Sequence, residues 1–157
     1  MRLPRRQDQF YAAPVPIRVN LLLADFAQVA ENKLYIVGGG WDIIGPQIGP
    51  SAVGMIIHVS WDLTNRKHTW RLELVDSDGE PVVVETPMGS DEPVAVNGEF
   101  EVGRPPGVTP GASLNVPVAI NFGPLPLEPG RRYEWRLTIG EESDERWRLP
   151  FTVRAAS

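Results

Sequence analysis

The side chains able to do chemistry in this 157-residue chain are few, and their spacing excludes more than it offers. His58 and His68 have no third ligand at a recognisable spacing, whereas a histidine metal centre needs several convergent donors. Both are read as structural. The chain has no Cys, so neither a disulfide framework nor thiolate chemistry is available. Asp76, Asp78 and Glu80 have the density of a calcium loop but not the EF-hand spacing or its terminal Glu, and Asp78-Gly79 is a hairpin signal. The run Gly38-Gly39-Gly40 lacks the spacing of a dinucleotide cradle. Trp41-Asp42-Ile43-Ile44-Gly45-Pro46 after it is no helix start, so a bulge or close backbone approach is expected. With no Gly-x-Ser-x-Gly elbow either, the expectation is a non-enzyme with no catalytic residue, no metal and no cofactor.

What remains is a pattern of arginines. Thr69, Arg71 and Glu73 alternate with Trp70, Leu72 and Leu74. Arg132, Glu134, Arg136 and Thr138 alternate with Tyr133, Trp135, Leu137 and Ile139, and Arg146, Arg148, Thr152 and Arg154 stand opposite Trp147, Leu149, Phe151 and Val153. Period-2 alternation puts each set on one face of a strand. If the three strands share a sheet, its outer face carries six Arg against two Glu on a chain of net charge −5. Arginine makes planar, bidentate bonds to carboxylates and phosphates, so Arg71, Arg132, Arg136, Arg146 and Arg148 are candidate contacts for an acidic partner segment. The bland alternative is a solvated face of cross-strand Arg–Glu pairs. Trp41, after the glycines, and Arg104, at the head of the proline-stiffened loop 104–110, are a weaker pair of candidates, because loops often carry recognition.

These residues need strands to position them, and the chain supplies them at short intervals. Ile17 to Val29 reads as a strand, and Glu31-Asn32 before Leu34-Tyr35-Ile36-Val37 reads as the turn of a tight hairpin. Met55, Ile57, Val59 and Trp61 share one face of the next strand. Asp76-Ser77-Asp78-Gly79 turns into Pro81-Val82-Val83-Val84, Glu99 to Val102 is a short strand, and Leu114, Val116, Val118, Ile120 and Phe122 form another inward row. Pro117 removes a ladder donor and so expects an edge or a bulge. Trp70, Trp135 and Trp147 should then meet Leu114, Val116 and Val118 in one core.

Length fits one domain with a sizeable core: residues 1–15 are expected to be a flexible lead-in and 16–157 the domain. The acidic balance, with a pI near 5.0, argues against a general nucleic-acid binder. Leu21-Leu22-Leu23 is far too short to cross a bilayer, and the basic start lacks the apolar run of a signal peptide, so the expected location is cytoplasmic.

The lead-in Leu127-Glu128-Pro129-Gly130-Arg131-Arg132-Tyr133 resembles the tyrosine corner of immunoglobulin-like and fibronectin type III-like domains. That resemblance implies an all-β antiparallel sandwich, here with an additional N-terminal hairpin, in which Pro81–Val84 occupies the place of strand C′. The phrases Leu23-Ala24-Asp25-Phe26-Ala27-Gln28, Lys33 to Trp41, His68 to Leu74 and Phe100 to Gly107 resemble a family of small uncharacterised bacterial proteins over residues 17 to 154. The resemblance implies a free-standing domain of unknown function and supplies no site residues. The leading expectation is an interaction or assembly module that binds an unidentified protein partner or itself. The alternative is a small-molecule or carbohydrate-binding module, which a line of exposed Trp would favour.

Overall fold

A computed structural model of the protein describes residues 17–157, so the lead-in expected at 1–15 lies outside the described residues. The fold is all-β, with a single short 3-10 turn at Trp61–Leu63 among the described residues. Three strands, β1 (Ile17–Ala24), β5 (Ser51–Val59) and β10 (Leu114–Phe122), form an antiparallel sheet in the order β1-β5-β10. Five strands form a second sheet in the order β4-β12-β11-β6-β9. They are β4 (Ile43–Ile44), β12 (Glu142–Val153), β11 (Arg132–Ile139), β6 (Lys67–Asp76) and β9 (Ala95–Glu101).

The two sheets enclose one core because both are built on strict alternation. Val53, Met55, Ile57 and Val59 of β5 are fully buried and face Leu72, Leu74, Trp135, Leu137 and Trp147. Phe122 stacks on Trp135 with ring centroids 4.6 Å apart, joining the sheets directly. Val116 and Val118 pack against the same cluster, so the three expected core tryptophans do meet these two residues of β10, whereas Leu114 is not part of it. Pro117 sits on β10, an edge strand, as its missing N–H leads one to expect. Trp70 lies flat over the β9 backbone at Gly98, its Cα partner. A Cβ on Gly98 would stand 2.3 Å from the indole ring, so no larger residue fits without displacing Trp70.

Tyr133 is buried, and its hydroxyl accepts a 3.0 Å hydrogen bond from the Glu128 N–H, inside the turn that leads into β11. The corner expected from sequence is thus formed. It anchors the first residues of β11 and so fixes which side chains of that strand turn outward.

The expected hairpin is β2 (Phe26–Ala30) with β3 (Lys33–Val37), joined at Glu31 and Asn32, both at positive φ as a two-residue type I′ turn requires. It forms a third layer on the outer face of the three-stranded sheet. Ala24, Ala27 and Ala52 are its buried centre, with Leu22, Leu34, Ile36 and Ala119 around them. Gly54 lets Ile36 seat against β5, since a Cβ there would lie 2.4 Å from the Ile36 side chain. Asn121 of β10 accepts from the Ala27 N–H (3.1 Å) and donates to the Ala27 carbonyl (2.7 Å), standing in for a neighbouring strand.

Three local expectations are corrected, and one short strand is added. The single strand from Ile17 to Val29 breaks at Asp25, whose N–H bonds back to Val37 and Gly38. Trp61 leaves the face of β5 for the 3-10 turn. Ile43–Ile44, for which the sequence indicated only that no helix starts there, pairs parallel to the end of β12. Pro81–Val84 does not flank β6 as a full strand. β9 takes that place, and β7 (Val83–Glu85) with β8 (Asp91–Pro93) makes a separate small hairpin, tied to β6 through Leu74.

Two measurements check this packing. Gly98→Ala is expected to cost about 1–3 kcal/mol, the range for overpacking a filled core, read as a lowered denaturant midpoint with unchanged slope. Tyr133→Phe removes one hydroxyl and should cost about 0.5–1.5 kcal/mol. An unchanged midpoint would mean that the corner bond contributes nothing.

Candidate functional site

β11 is bonded on both edges, to β12 and to β6, and its register sets the outer face of the five-stranded sheet. With Tyr133, Trp135, Leu137 and Ile139 buried, Arg132, Glu134, Arg136 and Thr138 point outward. Arg136 stands directly opposite Arg148 on β12 and directly opposite Glu73 on β6. Arg132 stands opposite Thr152, and Arg71 opposite Thr138, one diagonal step from Arg136. Arg71, Arg132, Arg136 and Arg148 therefore share one face over three neighbouring strands.

The four are not equivalent. Arg71 Nε donates to Glu73 at 3.1 Å and Nη1 to Asn97 at 3.3 Å. Arg136 Nε donates to Glu134 at 2.6 Å, and its guanidinium lies beside the Asp76–Glu80 turn, whose Asp76 and Ser77 line the same hollow. Arg132 and Arg148 are exposed and form no ion pair among the described residues. Like charges directly opposite in a ladder are unfavourable, and Arg136 opposite Arg148 is such a pair with only one member neutralised. Arg132, Arg136, Glu134, Pro150 and Asp76 rim a shallow hollow of about 200 Å³ on this face. An anionic group placed there would meet the guanidinium groups of Arg132 and Arg136, both on β11, beside the carboxylates of Glu134 and Asp76.

The other sequence candidates are engaged elsewhere. The β11–β12 register shifts between Arg136 and Thr138, so that Thr138 pairs with Ser143 and the residues around Arg146 bulge out of the ladder. Arg146 is thereby taken off the row. It closes a fork on Asp144, with Nε at 3.0 Å from Oδ1, Nη2 at 2.9 Å from Oδ2 and its backbone N–H at 2.8 Å from Oδ1. Arg104 clamps the 3-10 turn, donating to Thr64 Oγ1 (2.8 Å) and the Trp61 carbonyl (3.0 Å) while its guanidinium lies 4.1 Å over the Trp61 ring. Trp41 packs edge-on against Phe151 at 5.9 Å, with no hydrogen-bond partner for its indole N–H among the described residues. Phe151 pairs with Tyr133, near Asp76, whereas Arg104 follows Glu101, which pairs with Lys67. At about 3.3 Å per residue along β6, Trp41 and Arg104 belong to opposite ends of the sheet and form no joint site.

The histidines are accounted for: His58 lies between Asn20 (2.9 Å) and Asn115 (2.7 Å), and His68 bonds the Leu63 carbonyl and stacks on Phe100. Asp76 Oδ1 accepts from the N–H groups of Asp78 and Glu80, which makes 76–80 a side-chain-braced turn. Among the described residues, no group of three or more His, Cys, Asp or Glu is placed to hold a metal ion, and no helix is long and apolar enough to cross a membrane.

Sequence reading missed one feature beside the row. Between Asp76 and Glu92 the chain carries six carboxylates and no Lys or Arg, which exceeds its net charge of −5 and leaves a slight excess of cations on the rest. Glu85, Asp91 and Glu92 of the β7–β8 hairpin are exposed, and Met88 at its tip is 92% exposed. A count of charge along the chain, rather than a search for a calcium motif, finds this segment.

The Arg146 fork has a pH signature. Its side-chain hydrogen bond, with the Arg146 backbone N–H second, lowers the Asp144 carboxyl from 3.8 to about 2. A carboxylate depressed in the folded state stabilises it fully above the ordinary value and loses that contribution as pH falls from there through the folded value. An NMR titration should place the Asp144 midpoint at about 2, and Arg146→Ala should raise it toward the usual aspartate range without fully restoring it, because the backbone N–H at 146 still donates to Oδ1.

No curated protein and no solved structure matches the chain. A family model does, across residues 20–154, a span that runs from β1 to the end of β12 and takes in the arginine row. The chain belongs to that family, described as a family of unknown function (DUF6941).

Proposed function

We propose that the protein is a non-enzymatic interaction module that docks an acidic protein segment on the outer face of its five-stranded sheet. The observation that carries this reading is the facing pair Arg136 and Arg148, extended by Arg132 on the same face. Two guanidinium groups at one shallow hollow, Arg132 and Arg136, with Arg148 across the ladder from Arg136, offer planar donors to successive carboxylates of an extended segment. Side chains two apart on a strand point to the same face, so an acidic chain laid along β11 would present every second carboxylate to this row.

The strand order supports an immunoglobulin-like arrangement: β1-β5-β10 reads as A-B-E and β12-β11-β6-β9 as G-F-C-C′. In such domains the sheet faces and end loops are the usual recognition surfaces. The carbohydrate-binding alternative gains no support from tryptophan placement, since Trp70, Trp135 and Trp147 are core residues and Trp41 and Trp61 are half-buried.

The test is binding of a fluorescently labelled poly-glutamate peptide, followed by polarisation. Binding should weaken steeply toward physiological ionic strength, where screening acts over about 8 Å. The double variant Arg132→Glu, Arg148→Glu should abolish it while leaving thermal stability within about 1 kcal/mol, because exposed pairs contribute little. Undiminished binding by the double variant would remove the row from consideration.

A further inference from the structure

The arginine row and the acidic hairpin lie side by side on one molecule, and their free charges are complementary. Asp76 and Ser77 of the Asp76–Glu80 turn line the same hollow as Arg132 and Arg136, and the β7–β8 hairpin continues from that turn. Val82 and Val84 pack against the core, so the alternating residues Val83 and Glu85, with their partners Pro93 and Asp91, make the outward side of the hairpin. Val83 is 52% exposed. Neither Glu85, Asp91 nor Glu92 forms an ion pair among the described residues, and neither do Arg132 and Arg148.

Resting on the reading of the row as an acid-docking surface, we infer that the segment it receives is the β7–β8 hairpin of a second copy of this chain. Adjacent patches of opposite sign are self-complementary under a two-fold rotation: the hairpin of each copy meets the row of the other, and the contact is made twice. Glu85 and Asp91 of one protomer would face Arg132 and Arg148 of its partner. Val83 and Pro93 on the same side supply apolar area between the charges. Hydrogen bonds between ionised partners are the stronger kind, yet so small a contact makes a weak, salt-dependent dimer rather than an obligate one.

Sedimentation velocity across a concentration series tests this. At low salt the wild-type chain should shift from monomer to dimer mass as concentration rises, and added salt should reverse the shift. The variants Arg132→Glu, Arg148→Glu and Glu85→Lys, Asp91→Lys should each stay monomeric, and their equimolar mixture should regain the dimer because reversed charges again match across the interface. A wild type that stays monomeric, a dimer that survives either reversal, or a mixture that fails to pair each overturns the inference. Poly-glutamate binding by the hairpin variant separates the two claims. If that variant binds the peptide while the wild type is monomeric, the row docks acidic segments and only the choice of a second copy is wrong. If neither the peptide nor a second copy binds the row, both fall.

Discussion

Everything on the outer face depends on the register of β11. The strand is hydrogen-bonded on both edges, and its inner face carries Tyr133, Trp135, Leu137 and Ile139 into the core. A slip of one residue would exchange faces, burying Arg136 and Glu134 and exposing Trp135. Fully burying a large apolar side chain is worth roughly 1.5–3 kcal/mol by area alone, and the four positions Tyr133, Trp135, Leu137 and Ile139 act together. The Tyr133 hydroxyl bond and the Phe122–Trp135 stack hold the same register from the two ends of the argument that packing makes: one fixes the entry of the strand, the other its seat against the opposite sheet. The arginine row is thus the outward consequence of a constraint imposed from inside.

The same logic sorts the remaining surface. On the three-stranded sheet the outer face is small and apolar at Ala24, Ala52, Gly54 and Ala119, and the β2–β3 hairpin covers it. Asn121 supplies the backbone bonds that close packing of side chains alone would not. On the five-stranded sheet no such layer lies over the row among the described residues. Its outward side chains are charged, and part of that charge is already matched within strands, Arg71 by Glu73 and Arg136 by Glu134. Among the described residues, Arg132 and Arg148 on one side and Glu85, Asp91 and Glu92 on the other form no ion pair.

Much of this was legible in the sequence, because alternation, turn chemistry and the tyrosine corner are local. Glu31-Asn32 declared its own turn, and the odd positions 133 to 139 declared an inner face. What was not legible depends on partners far along the chain. β9 rather than Pro81–Val84 flanks β6 because Leu74 bonds both Val82 and Val94, which pinches the intervening residues off as a hairpin. Ile43–Ile44 pairs with Thr152 and Val153, more than a hundred positions away in sequence, and in parallel. The site divided in the same way. Arg132, Arg136 and Arg148 follow from alternation and were found. Arg146 was misplaced by a bulge that alternation cannot register, and Arg104 and Trp41 are engaged by tertiary contacts with Thr64, Trp61 and Phe151.

The most direct test of the row as a docking surface is an NMR titration that follows the arginine Nε–Hε resonances as poly-glutamate is added. The account predicts shifts at Arg132, Arg136 and Arg148, a smaller one at Arg71, and none at Arg104 or Arg146, whose guanidinium groups are already engaged. Shifts centred on Arg104 or Arg146, or none at the row at saturating peptide, would contradict it.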